Sequence, residues 1–141
     1  MDGADCASIL CDRPAPVVFA FMQDGLKLGQ WALGCWNTVE AQPGLYRGTS
    51  IIDQQETWVR IEAMPSVWMI SYHVGSTPDA LQPRIMAKVV PGETLGHPAD
   101  SSVLSLLAWR DTSMDDDRWQ QLRECHRVEL RIIRNLLRTQ A

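Results

Sequence analysis

The stretch SMDDDRWQQLRECHRVELRIIRNLLRTQA, residues 113–141, carries the strongest local signal in the chain. Its apolar residues recur at Trp119, Leu122, Leu130, Ile133 and Leu137, which at about 100° per residue form one stripe. Ser113-Met114-Asp115-Asp116 resembles a capping box, and Asp115, Asp116 and Asp117 put negative charge at the positive end of the helix dipole. Arg131, Arg134 and Arg138 lie toward the other end, and neither proline nor glycine interrupts residues 115–141. The pattern predicts one amphipathic helix of roughly 25 residues, about 37 Å long.

The chain before it reads as strands. Residues 35–41, 45–52, 55–64, 67–74, 84–90 and 102–110 are strand-like, punctuated by Pro43-Gly44, Asp53-Gln54 and Pro65-Ser66. Two longer loops fall before Arg84 and over residues 91–101. Connections this short argue for antiparallel hairpins, since a parallel crossover needs about a dozen residues or more. Further upstream lie a strand over residues 7–11 and a helix opening at Pro14, where a missing N–H costs nothing. A second short helical piece spans residues 24–31. The class is α+β: about seven antiparallel strands, two short helices after the first, a long terminal helix, and one domain over residues 1–141.

This order resembles the START-like or SRPBCC superfamily, which includes polyketide cyclase-type proteins. The residues that carry the resemblance are Pro14-Ala15-Pro16-Val17-Val18-Phe19, Trp31, Pro43-Gly44 and the stripe from Trp119 to Leu137. It implies a helix-grip fold, a curved sheet wrapped around the C-terminal helix. A cavity between them would hold a lipid, a polyketide or an aromatic metabolite. It does not imply a reaction, because the superfamily mixes carriers and enzymes.

Composition narrows the partners. Hydrophobic residues make up 45% and charged residues 21% of 141, a globular balance long enough to bury a core unaided. A formal net charge of −4 argues against nucleic acid, whose partners carry a basic surface. Four cysteines, Cys6, Cys11, Cys35 and Cys125, form no CxxC pair, so free thiols in the cytoplasm are expected rather than disulfides or zinc. Residues 1–8 hold Asp2 and Asp5 and no long apolar run, so neither a signal peptide nor a membrane span is expected. No P-loop, dinucleotide fingerprint or nucleophile elbow occurs, and no cofactor is expected.

Hairpin geometry assigns the faces. A two-residue turn at Pro65-Ser66 sets Ala63 opposite Trp68, Ile61 opposite Ile70 and Val59 opposite Tyr72. The same turn at Asp53-Gln54 sets Tyr46 opposite Ile61, Gly48 opposite Val59 and Ser50 opposite Thr57. Both leave Arg47, Arg60 and Glu62 outside. Alternation with charges outward adds Asn37, Ile85, Ala87, Val89, Ser105, Leu107 and Trp109 to the inner wall. The expected ligand-binding set is Asn37, Tyr46, Trp68, Tyr72, Ser105, Trp109, His126 and Ile133, an apolar and aromatic wall with a few polar points. A filled core is the alternative. The same alternation leaves Trp36, Trp58, Met69, Leu104 and Leu106 outside, a patch that predicts a homodimer.

His126 lies near the centre of the helix stripe with Glu129 three residues on, and these two are the candidate catalytic residues. Di-metal bundles use paired Glu-x-x-His repeats; here the order is reversed and occurs once, so no metal is expected. His73 is expected outside, His97 in a loop, and the row Arg123, Arg127, Arg131, Arg134 and Arg138 on a solvated helix face. Two functions stay open. One is a module that binds a small hydrophobic molecule; the other is a cyclase, aromatase or isomerase with His126 as acid or base.

Overall fold

Seven antiparallel strands form one curved sheet in the order β1-β7-β6-β5-β4-β3-β2, in a computed structural model that describes residues 3–140. The strands are β1 (Ala4–Cys11), β2 (Trp36–Gln42), β3 (Leu45–Thr49), β4 (Glu56–Met64), β5 (Met69–Gly75), β6 (Gln82–Pro91) and β7 (Ser102–Trp109). Two short helices, α1 (Ala15–Gln23) and α2 (Leu28–Trp31), follow β1, and α3 (Asp116–Thr139) closes the chain. Every successive pair from β2 to β7 is a neighbour, and β1 returns to the far edge against β7. The α+β helix-grip architecture is the one expected. The expectations that touch Met1, Asp2 and Ala141 fall outside the described residues.

Helix α3 runs for 24 residues and buries Trp119, His126, Glu129, Leu130, Ile133 and Leu137 against the sheet. Its cap is Asp115, whose carboxylate accepts from the Arg118 N–H at 2.7 Å. Ser113, read as the capping residue, instead donates to Asp111. Arg127, Arg131 and Arg138 of the arginine row are exposed as expected, and the row also makes ion pairs. Arg123 Nε and Arg127 Nη1 each donate to the Asp5 carboxylate at 3.0 Å, and Arg138 Nε reaches Asp12 at 2.9 Å. The hydrogen bond from Arg127 comes first among the causes that hold the Asp5 carboxyl below its ordinary pKa. These bonds tie the helix to β1, and Arg13 adds two more by donating to the Leu137 and Gln140 carbonyls at the helix end. Their acids lie more than a hundred residues away in sequence, so no local pattern announces them.

Both hairpins keep the expected faces but not the expected register. Pro65–Val67 forms a 3₁₀ turn ended by Trp68 in the left-handed region at φ 54°, so β4 pairs Ala63 with Ile70 and Ile61 with Tyr72. Tyr46 likewise pairs with Val59 and Gly48 with Thr57, because residues 50–55 form a longer loop closed by the Ser50 N–H donating to the Gln55 carbonyl. Each register slips by two, and a slip of two preserves which face a side chain takes.

Strand β7 corrects the reading outright. Leu104, Leu106 and Ala108 are fully buried, while Ser105 and Leu107 lie on the outer side and Trp109 is exposed. The expectation that charges point outward failed at Arg110. Its side chain is buried over the Trp119 ring at 6.0 Å and donates to the Met114 carbonyl and the Asp116 carboxylate. Leu104 and Leu106 therefore leave the outer patch. Trp58 stays on it, shielded by Arg47 stacked at 5.7 Å and by a bond from its Nε1 to Glu56. No helix among the described residues is long and apolar enough to cross a membrane.

Close packing requires glycine at position 48. A Cβ on Gly48 would sit 2.7 Å from Cys35 Sγ and 2.8 Å from the Cys35 carbonyl oxygen, where the α2–β2 connection crosses β3. Gly48→Ala is expected to cost roughly 1–3 kcal/mol through overpacking, read as a fall in the urea midpoint at constant slope.

Candidate functional site

A cavity of about 420 Å³ opens between the sheet and α3. On the helix side it is walled by Leu122, Cys125, His126 and Glu129. Leu28, Trp31 and Ala32 close one end, and Val59, Tyr72, Val74 and Ile85 supply the sheet wall. The β3–β4 loop, with Ile52 and Asp53, forms part of the rim.

Its polar groups come from separate elements. Tyr72, fully buried, donates its hydroxyl to the Met22 carbonyl at 2.7 Å, and burial first, then Glu129, drives its pKa above the ordinary tyrosine value. Trp31 meets the Tyr72 ring edge-on, with centroids 6.1 Å apart. Glu129 is buried on α3, and its Oε2 accepts from the Leu33 N–H at 2.8 Å. Burial pushes its carboxyl up to about 8 and pushes the neighbouring His126 down to about 4. His126 Nε2 stands 3.9 Å from Glu129 Oε1. Both shifts favour the uncharged form near neutral pH, and at 3.9 Å the two groups face each other without a hydrogen bond between them.

The structure brings together only part of the expected set. Tyr72, His126 and Glu129 line the cavity. Ser105 and Trp109 do not, because β7 faces the other way. Asn37 is exposed, because the bulge in β2 places it in the left-handed region at φ 52° and breaks the alternation there. Tyr46 is partly buried against the core but packs on Gly25, away from the cavity. Trp68 packs edge-on against Phe19 with centroids 5.5 Å apart, and Ile133 is sealed in the core.

Among the cavity residues that escaped the sequence reading are Cys125, Trp31 and Arg84. Cys125 sits beside the helix stripe, and Trp31 carries no sign of its direction. Arg84 turns inward at a bulge where Ile85 pairs with Tyr72 but Pro83 pairs with His73. Pro83 was the available signal, since proline inside a strand marks an edge or a bulge. The Arg84 guanidinium is held by Asp111 at 3.3 Å and by the Met114 sulfur at 3.2 Å.

The sheet, the two short helices and α3 over a cavity define the helix-grip class. In fold the chain is similar to the protein XoxI from Bacillus cereus, with TM-score 0.75 and 10% identity, over 98% of this chain and 97% of that one. The Zhui aromatase/cyclase from Streptomyces sp. R1128 is similar over 96% of this chain and 93% of its own, with TM-score 0.68 and 14% identity. A START superfamily protein from Mycobacterium smegmatis gives TM-score 0.64 at 14% identity, over 97% and 98% of the two chains. No protein-family model and no curated protein sequence matches the chain. The fold is START-like.

Proposed function

We propose that this protein binds a small, largely apolar molecule (a lipid, polyketide or aromatic metabolite) in the cavity between sheet and α3. The observation that carries the reading is the 420 Å³ cavity, which has an aliphatic and aromatic wall and buried polar groups at separate points. Native mass spectrometry of the purified protein should show a small-molecule adduct. His126→Leu should keep the fold and weaken or alter that uptake. Adduct-free protein that also takes up no apolar ligand would remove the reading.

A second reading is an enzyme of the cyclase, aromatase or isomerase kind. It is favoured by one feature, a carboxyl with pKa about 8 placed 3.9 Å from an uncharged imidazole. A carboxyl with its pKa near neutrality can give or take a proton at physiological pH. On this reading His126→Gln keeps binding and abolishes turnover, and Glu129→Gln does the same.

A homodimer through the outer sheet face is retained on altered grounds. Trp36 and Met69 are half-buried there, and the reversal of β7 adds the exposed Trp109 beside β1, whose Leu10 is also exposed. Light scattering at micromolar concentration should give twice the chain mass, and a monomer would exclude it. The four cysteines are unpaired, which accords with a reducing, cytoplasmic setting.

A further inference from the structure

Buried side-chain nitrogens without a partner are concentrated at this cavity. Among the described residues there are four, and three of them, Trp31 Nε1, Arg84 Nε and His126 Nδ1, belong to residues that line it. They are not equivalent. Arg84 already spends its other nitrogens on Asp111 and Met114. The His126 nitrogen donates in one tautomer and accepts in the other. The Trp31 indole is a donor in every state, its residue is only 4% exposed, and no acceptor of the described residues is within reach. An unmatched buried donor is costly, and native proteins seldom leave one.

We propose that Trp31 is the specificity-determining residue of the cavity, its indole N–H donating to a carbonyl oxygen of the bound molecule. This rests on the reading of the cavity as a ligand site and goes further by naming what the ligand must present. A carbonyl has lone pairs and no hydrogen, so it satisfies the indole without bringing a donor into a wall built there of Leu28, Ala32 and Val59. The indole is also held in place. Its ring stands edge-on to Tyr72, whose hydroxyl is fixed by the Met22 carbonyl, so the donor direction is set before a ligand arrives. Of the two arginines that line the cavity, Arg118 is eleven residues before Glu129 on α3, roughly 16 Å along the helix axis, and Arg84 is held by Asp111 and the Met114 sulfur. With Arg84 committed to these partners, the acceptor proposed at the Trp31 end is an uncharged oxygen.

The test uses two molecules of nearly equal shape, 2-acetylnaphthalene and 2-ethylnaphthalene, titrated into the wild-type protein and Trp31→Phe, with the indole N–H resonances followed by NMR. The wild type should bind the ketone roughly tenfold more tightly, the factor one buried hydrogen bond supports, and one indole resonance should move with the ketone alone. That resonance should show contacts to the Tyr72 ring and vanish in Trp31→Phe. In the variant the preference should collapse to about onefold while the hydrocarbon binds as before. Equal binding of both molecules to the wild type, or a preference that survives in Trp31→Phe, overturns the role of Trp31 and leaves the cavity a ligand site. Failure of both molecules to bind the wild type overturns the cavity reading and this proposal together. If Trp31→Phe does not fold, the wild-type indole shift decides alone, and its absence counts against the proposal.

Discussion

Trp119→Ala should lower stability by about 3–5 kcal/mol, the range for truncating a buried aromatic, out of roughly 5–15 kcal/mol for a whole domain. Trp119 is 4% exposed and packs in a small cluster with Ala108 and Met114, with Ile85 and Leu122 against it. That cluster is where the inner face of β7 meets the first turn of α3. The same ring lies under Arg110, whose charge is turned inward and depends on the indole, the Met114 carbonyl and Asp116 for its surroundings. Alanine would leave a void and also uncover that guanidinium. A melting curve should move down by roughly 10 °C or more. Trp119→Phe, which refills most of the volume, should recover the larger part. A melting temperature unchanged in Trp119→Ala would show that this cluster is not part of the cooperative core.

The second large effect is a loss of stability between about pH 6.5 and 8. Glu129 is raised by burial from 4.5 to about 8, so across that interval the folded chain holds a proton that the unfolded chain has released. Stability then falls as pH rises. His126 acts in the opposite sense, since its folded value is lowered from 6.5 to about 4 and the unfolded chain holds the extra proton between those limits. From about pH 4.5 to 6.5 the two slopes cancel. Above pH 6.5 only Glu129 remains, and at about 1.4 kcal/mol per pH unit the loss approaches about 2 kcal/mol by pH 8. The buried thiols Cys11 and Cys35 are raised from 9.0, so they add their own loss only at higher pH. Urea unfolding at pH 6.5 and 8 measures the difference. In Glu129→Gln, whose amide oxygen still accepts from Leu33, the decline should disappear, and a decline that persists would place its origin elsewhere.

Helix α3 was legible because amphipathic periodicity, acidic start and basic end agree over 24 residues, each a property of neighbours along one helix. The inner faces of β4 and β5 were legible despite wrong turns. Alternation depends on parity alone, and the loop closed by Trp68 shifts the register by two. His126 and Glu129 could be placed at the sheet-facing side of α3 from helix phase. Strand β7 could not be oriented, because Val103 to Trp109 is apolar on both faces and the one charge used to choose between them, Arg110, points inward.

The element order, the α+β class, the long amphipathic helix and the pairing of an imidazole with a carboxyl on its buried face are all legible in the residues alone. Those follow from local periodicity, turn chemistry and spacing, which act between near neighbours. Tertiary structure alone decided the outward face of Ser105 and Trp109, the bulge that turns Arg84 inward, the Asp5 clamp on Arg123 and Arg127, and the cavity that gathers Trp31, Tyr72 and Glu129. Each of these depends on which surface a residue meets after distant segments close on one another. Burial by those segments leaves Glu129 a protonated acid and the Trp31 N–H without a partner.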